Sequence, residues 1–108
     1  MITVGTQESG SDELNRRFQE AEKTKHLDLS CLRLTFELPK QIDSIKYLRS
    51  INLYKNLLET VPEELHRFTM LEELNLYRNK LSTLRPGIAV LSNLRILNIG
   101  SNRLETVP

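Results

Sequence analysis

The chain has 108 residues, enough for one domain and too few for two. Fifteen Lys and Arg against fourteen Asp and Glu leave a net charge of +1, which excludes a global basic field that would recruit nucleic acid or an anionic membrane. The 39% hydrophobic and 27% charged shares support a core and argue against disorder of the whole chain.

In chain order, residues 1–23 are expected to form a flexible N-terminus and a capping helix. Met1 to Gly10 are small and polar after the first few residues and predict a loose end. Met1-Ile2-Thr3-Val4 offers neither the basic start nor the apolar run of a signal peptide. Ser11 is placed to cap a helix whose first turn holds Asp12 and Glu13, where the positive end of the helix dipole favours them. Leu14, Phe18 and Ala21 recur at i, i+4 and i+7, and the pattern ends near Lys23 to Lys25. A helix this short is marginal alone. Its expected role is to cover the edge of the strand that follows.

Residues 24–47 form a degenerate first repeat, with Leu27, Leu29 and Leu34 in strand and turn positions and Leu38-Pro39 opening the return limb. It is one residue longer than its successors, and Leu32 stands where they carry asparagine. Leu48, Leu71 and Leu94 then open three units 23 residues apart: 48–70, 71–93 and the unfinished 94–108. Each follows L-x-x-L-x-L-x-x-N-x-L, with Ile at two of the leucine positions. A fixed period in this range marks stacked units, none of which buries its apolar face alone.

Period-2 alternation predicts short strands at Ser50–Tyr54, Glu73–Tyr77 and Ile96–Gly100, with Ile51, Leu53, Leu74, Leu76, Leu97 and Ile99 pointing inward. Leu58, Leu81 and Leu104 close the next corner. Val61, Leu84, Val107, Leu65, Ile88, Phe68 and Leu91 return along the convex side at a spacing that suits 3₁₀ turns. Pro39, Pro62 and Pro86 sit at the start of that limb, where a missing N–H does least harm. Asn56, Asn79 and Asn102 form a structural ladder, each amide meeting backbone groups that the bend would otherwise bury without partners.

From Thr24 to Pro108 the frame L-x-x-L-x-L-x-x-N-x-L-x-x-[LV]-P-x-x-[IL]-x-x-[LF] resembles the intracellular leucine-rich repeat group of Ras-suppressor, SHOC-2 and Scribble-type proteins. Arg85 departs from it by replacing the usual proline, with Pro86 one place later. The resemblance implies an α/β fold: a right-handed solenoid with a short parallel sheet on its concave face, helical or 3₁₀ turns on its convex face, and proteins as ligands. It also implies a place in small-GTPase signalling.

Function in such a solenoid lies on outward-facing strand positions, which adjacent strands stack into columns. One column is Asp28, Asn52, Asn75 and Asn98; the next is Ser30, Tyr54, Tyr77 and Gly100. Past the strand ends come Cys31, Lys55, Arg78 and Ser101, then Arg33, Leu57, Lys80 and Arg103. Tyr54 and Tyr77, with Lys55, Arg78, Asn52, Asn75, Lys80 and Arg103, form the candidate partner-binding surface, since tyrosine beside cations is the composition of binding hot spots. The expected partner is a protein with an acidic and apolar surface. The alternative is that the tyrosines only shield the sheet.

Nucleic-acid stacking on the tyrosines is disfavoured by the net charge and by Glu72-Glu73. His26, Asp28 and Ser30 share a strand face, but nothing orients a base against a nucleophile there, and catalysis is not expected. His66 is expected to face solvent. One cysteine and two distant histidines make no metal site, no glycine-rich phosphate loop occurs, and no cofactor is expected. Cys31 is expected to be a buried small hydrophobe or a bystander. A single cysteine, the absence of an N-x-S/T acceptor and the absence of a membrane-length apolar run point to a reducing, cytoplasmic setting.

The expected function is a non-enzymatic protein-interaction module, a scaffold or adaptor. The alternative is a structural capping segment of a longer repeat array, and self-association through the C-terminal edge is a third expectation.

Overall fold

The structure, a computed structural model, describes residues 10–84 and 87–104. Helix α1 spans Gly10–Thr24 and four three-residue strands follow: β1 His26–Asp28, β2 Ser50–Asn52, β3 Glu73–Asn75 and β4 Ile96–Asn98. Between them, 3₁₀ turns η1 Lys40–Ser44, η2 Glu63–Arg67 and η3 Gly87–Val90 carry the chain back. The strands form one parallel sheet in the order β1-β2-β3-β4. Its register advances by 24 residues from His26 to Ser50, and by 23 from Ser50 to Glu73 and from Glu73 to Ile96. The fold is an α/β leucine-rich-repeat solenoid.

The regular strands are shorter than the alternation predicts, yet their hydrogen bonds continue beyond them. Leu53 N–H donates to Asn75 O at 2.7 Å, Lys55 N–H to Tyr77 O at 2.9 Å, and Arg78 N–H to Gly100 O at 3.0 Å. Three residues past each strand the backbone enters the left-handed region: Cys31, Lys55, Arg78 and Ser101 all have φ between 53° and 60°. These are equivalent positions, so every repeat turns its backbone at the same point without a glycine.

Ile51, Leu53, Leu74 and Leu76 are buried in a continuous core with Leu58, Leu65, Leu71 and Leu81. Each fully buried leucine contributes about 1.5–3 kcal/mol. Pro39 and Pro62 immediately precede η1 and η2, with φ of −56° and −59°. Arg67 of η2 donates to the carbonyls of Ile42 and Asp43 at the end of η1, and Asn93 donates to Thr69 O at 2.8 Å. Successive return limbs are thereby tied together. Arg85, Pro86 and Val107 lie outside the described residues, as do positions 1–9 of the expected loose terminus.

The asparagine column bridges each repeat to the one before it. Asn56 donates to Leu29 O and Leu53 O and accepts from Leu32 and Leu34 N–H, at 2.9–3.0 Å. Asn79 donates to Leu53 O and Leu76 O and accepts from Leu58 N–H. Asn102 donates to Leu76 O and Ile99 O and accepts from Leu81 N–H. Leu32 breaks the column for a physical reason: the first repeat has no repeat before it to bridge, and its side chain packs on the core instead.

Helix α1 begins at Gly10, so Ser11 lies within the helix and not before it. Phe18 and Ala21 are buried and Leu14 packs on the core. Arg17 reaches across to β1 and donates to Asp28 O and Ser30 O at 3.1 and 3.0 Å. Thr24 Oγ accepts from His26 N–H and donates to His26 O. Side chains thus meet His26 N–H, His26 O and Asp28 O on the outward edge of β1, which another strand would otherwise have to cover. Hydrogen bonds from Arg16, then Arg17, hold the Glu13 carboxyl below the ordinary glutamate range.

The far end differs. Leu94, Leu97, Ile99 and Leu104 are only partly buried, whereas Leu71, Leu74, Leu76 and Leu81 are at most 1% exposed at the equivalent positions. No described residue stacks against the outer side of β4.

Candidate functional site

The sheet face presents three columns four residues long: His26, Ser50, Glu73 and Ile96; Asp28, Asn52, Asn75 and Asn98; and Ser30, Tyr54, Tyr77 and Gly100. The middle column does more than face outward. Asn52 Oδ1 accepts from Tyr54 N–H and Asn75 Oδ1 from Tyr77 N–H, each at 2.9 Å. Asp28 does the same for Ser30, and Asn98 for Gly100. These side chains hold the backbone as it leaves the strand. Asn52 and Asn75 therefore position the tyrosines, with their oxygens already engaged.

Tyr54 and Tyr77 stack, with ring centroids 5.9 Å apart and planes within 8°. Both rings are half-buried. Tyr77 continues the stack onto Gly100, where an added β-carbon would lie 2.9 Å from two of its ring carbons. Lys55 and Arg78, each one residue past its tyrosine, are exposed on left-handed turns. Lys80 is half-buried and Arg103 exposed, one turn further along. The rings form a flat aromatic step, and the left-handed turns set two cations just beyond it. Such a surface offers apolar contact with charge at its margin, at small entropic cost because the rings are already held.

The sequence places Gly100 in the tyrosine column without showing its role, and it does not single out Arg17. Gly100 had a signal, since it breaks the aromatic column in the fourth repeat. Arg17 had none, because its partners are backbone carbonyls eleven and thirteen residues away.

Two expectations on single residues are corrected. Cys31 is exposed because it occupies the outward left-handed turn, which sets aside the buried alternative of the two expected for it. His66 does not simply face solvent: its ring is half-buried and Nε2 is enclosed without a hydrogen-bond partner. Across the strands His26 Nδ1 lies 2.6 Å from Ser50 Oγ, while Ser30 Oγ donates to Asp28. Asp28 thus holds Ser30 and does not orient His26, so the row does not form a nucleophile–base–orienter relay. Among the described residues no cluster of His, Cys, Asp or Glu has metal-site geometry. No helix among them is long and apolar enough to cross a membrane.

The fold is that of leucine-rich repeat proteins, a class whose solenoids generally mediate protein–protein interaction. Residues 70–91 match the Leucine Rich Repeat family. Among solved structures, the chain is similar to a leucine-rich repeat protein of Leptospira interrogans, with 31% identity over 81% of this chain and a TM-score of 0.64. The chain spans 29% of that protein's length. No curated protein matches it.

Proposed function

We propose that the chain is a scaffold or adaptor module that binds a protein partner on its sheet face. Tyr54 and Tyr77 supply the apolar contact, and Lys55, Arg78, Lys80 and Arg103 the surrounding charge. The observation that carries this reading is the tyrosine stack itself, held by Asn52, Asn75 and Gly100 and bordered by cations on fixed turns. The partner it fits has carboxylates around an apolar spot. A cytoplasmic setting belongs to the same proposal, supported by the single, exposed thiol of Cys31. A role in small-GTPase signalling rests on the likeness of the repeat frame to the Ras-suppressor group. The test uses the full chain as bait beside a Lys55→Glu/Arg78→Glu variant. The reading expects a partner retained by the first and lost by the second at equal melting temperature; equal retention contradicts it.

A second reading is favoured by the partial burial of Leu94, Leu97, Ile99 and Leu104. This end of the core accepts further apolar surface, either from another repeat of a longer array or from a second copy of the chain. Light scattering across a concentration series separates the two: growth in mass with concentration supports self-association, and a constant monomer mass counts against it.

A further inference from the structure

Tyr47 and Met70 occupy equivalent positions of successive repeats, each immediately before the leucine that opens the next unit. Both are exposed, Tyr47 to 66% and Met70 to 48%. They line one groove of about 290 Å³, together with the buried Ile45 and Phe68 and with Lys46 and Arg67. Isolated exposed apolar side chains are ordinary, but two beside a shared apolar floor are not. The periodic core needs neither of them.

Tyr47 carries a second mark. Its φ is 58°, in the left-handed region, whereas Met70 at the equivalent position has no positive φ. A bulky residue is disfavoured there, and its solvent-exposed ring recovers nothing by burial. Folding alone would favour glycine at this point. The charge in the groove has one sign: no carboxylate lines it. Arg67 lies over the Phe68 ring, 5.1 Å from its centroid, anchored on the Ile42 and Asp43 carbonyls. Its charge is therefore fixed at the groove.

We propose that this groove is a second docking surface, for an extended partner segment in which leucine or phenylalanine side chains alternate with carboxylates. The apolar side chains enter between Tyr47 and Met70, and the carboxylates meet Lys46 and Arg67. The surface lies where the chain enters the strands, while the tyrosine stack lies where it leaves them, and the proposal does not depend on the sheet-face reading.

The test is a titration of the isotope-labelled full chain with a short synthetic peptide rich in Leu, Phe and Glu, followed by amide chemical shifts. Saturable shifts are expected at Lys46, Tyr47 and Met70. Tyr47→Gly with Met70→Ser should weaken binding by roughly ten-fold or more without lowering the melting temperature, because glycine is at home at the Tyr47 backbone angle. Lys46→Glu, an exposed change, should weaken binding as well, and the Tyr54→Ala/Tyr77→Ala variant should bind as the parent does. The proposal is overturned if these residues do not shift, if Lys46→Glu binds as tightly as the parent, or if a peptide with Lys in place of Glu binds equally well. Loss of binding in the Tyr54→Ala/Tyr77→Ala variant alone overturns it too, while leaving the sheet-face reading standing.

Discussion

The ring of Tyr77 rests on the bare α-carbon of Gly100, so closely that a single added methyl would meet it at 2.9 Å. The strand column that begins with Ser30 therefore ends in a deliberate gap, and the gap sets where both tyrosine rings lie.

Gly100→Ala tests that relation. Gly100 does not have a positive φ, so the backbone itself accepts alanine, and the cost falls on the ring. Tyr77 should tilt away and lose its parallel stack on Tyr54, a contact worth about 0.5–1.5 kcal/mol. The near-ultraviolet circular dichroism of tyrosine should change, with a small fall in melting temperature. An unchanged spectrum would mean that the stack does not depend on the glycine.

The asparagine ladder predicts a ranking. Asn79→Leu leaves the buried Leu58 N–H without a partner and takes one of two amide donors from each of Leu53 O and Leu76 O, which should cost about 1–3 kcal/mol. Asn56→Leu strands one N–H more and should cost at least as much. Asn102, half-buried where the other two are buried, should cost least. Denaturant midpoints for the three variants check the order; an inverted order would break the account of the ladder.

Arg17 predicts a local effect. Arg17→Ala removes the donors to Asp28 O and Ser30 O, and hydrogen exchange should accelerate in β1 and α1 before β3. Arg17→Lys should restore only part of the protection, since an ammonium lacks the planar fork that spans two carbonyls. The same helix carries a pH dependence. Glu13 is held low by Arg16 and Arg17, so the stability it lends is complete above its unfolded-state value and is lost as pH falls through its lower folded value. Glu13→Gln should flatten that part of the acid melting profile. An acid profile identical to the parent's would contradict it.

The left-handed turns predict opposite effects for two substitutions at one site. Arg78 has φ of 60°, where a β-branched side chain is most crowded. Arg78→Val should lower stability by about 1–2 kcal/mol, while Arg78→Gly should be close to neutral. Thermal melts of the pair check this, and equal losses would mean that the arginine side chain, not the turn, is what stabilises.

Much of this was legible in the chain, and for stated reasons. Leu48, Leu71 and Leu94 set the period, and with side-chain alternation this gave the columns and the inward set from Ile51 to Leu76, while the parallel sheet was what the family resemblance implied. Asn56, Asn79 and Asn102 were legible as a ladder because a buried bend has backbone groups to satisfy. Their direction, back to the preceding repeat, was not, and Leu32 makes sense only once that direction is known. The strand ends were overrun because the alternation runs on to Tyr54 and Tyr77, whereas the Asn52 and Asn75 side chains take the N–H groups of those tyrosines and end the regular strand two residues earlier. The column that Asn52 and Asn75 share was legible, but the engagement of their oxygens was missed, although an asparagine two residues before a turn is a recognised local pattern. Contacts such as Arg17 on Ser30 O depend on how a helix lands on a sheet, which no local pattern encodes.

The central claim is that the sheet face around Tyr54 is where a protein partner sits. A photo-crosslinking phenylalanine analogue placed at position 54 tests it most directly, with the same analogue at the exposed Ala89 of η3 as the comparison. The account predicts a discrete protein adduct from position 54 that position 89 does not give, and that Lys55→Glu/Arg78→Glu abolishes. Adducts of equal yield from both positions, or an adduct from position 89 alone, would contradict it.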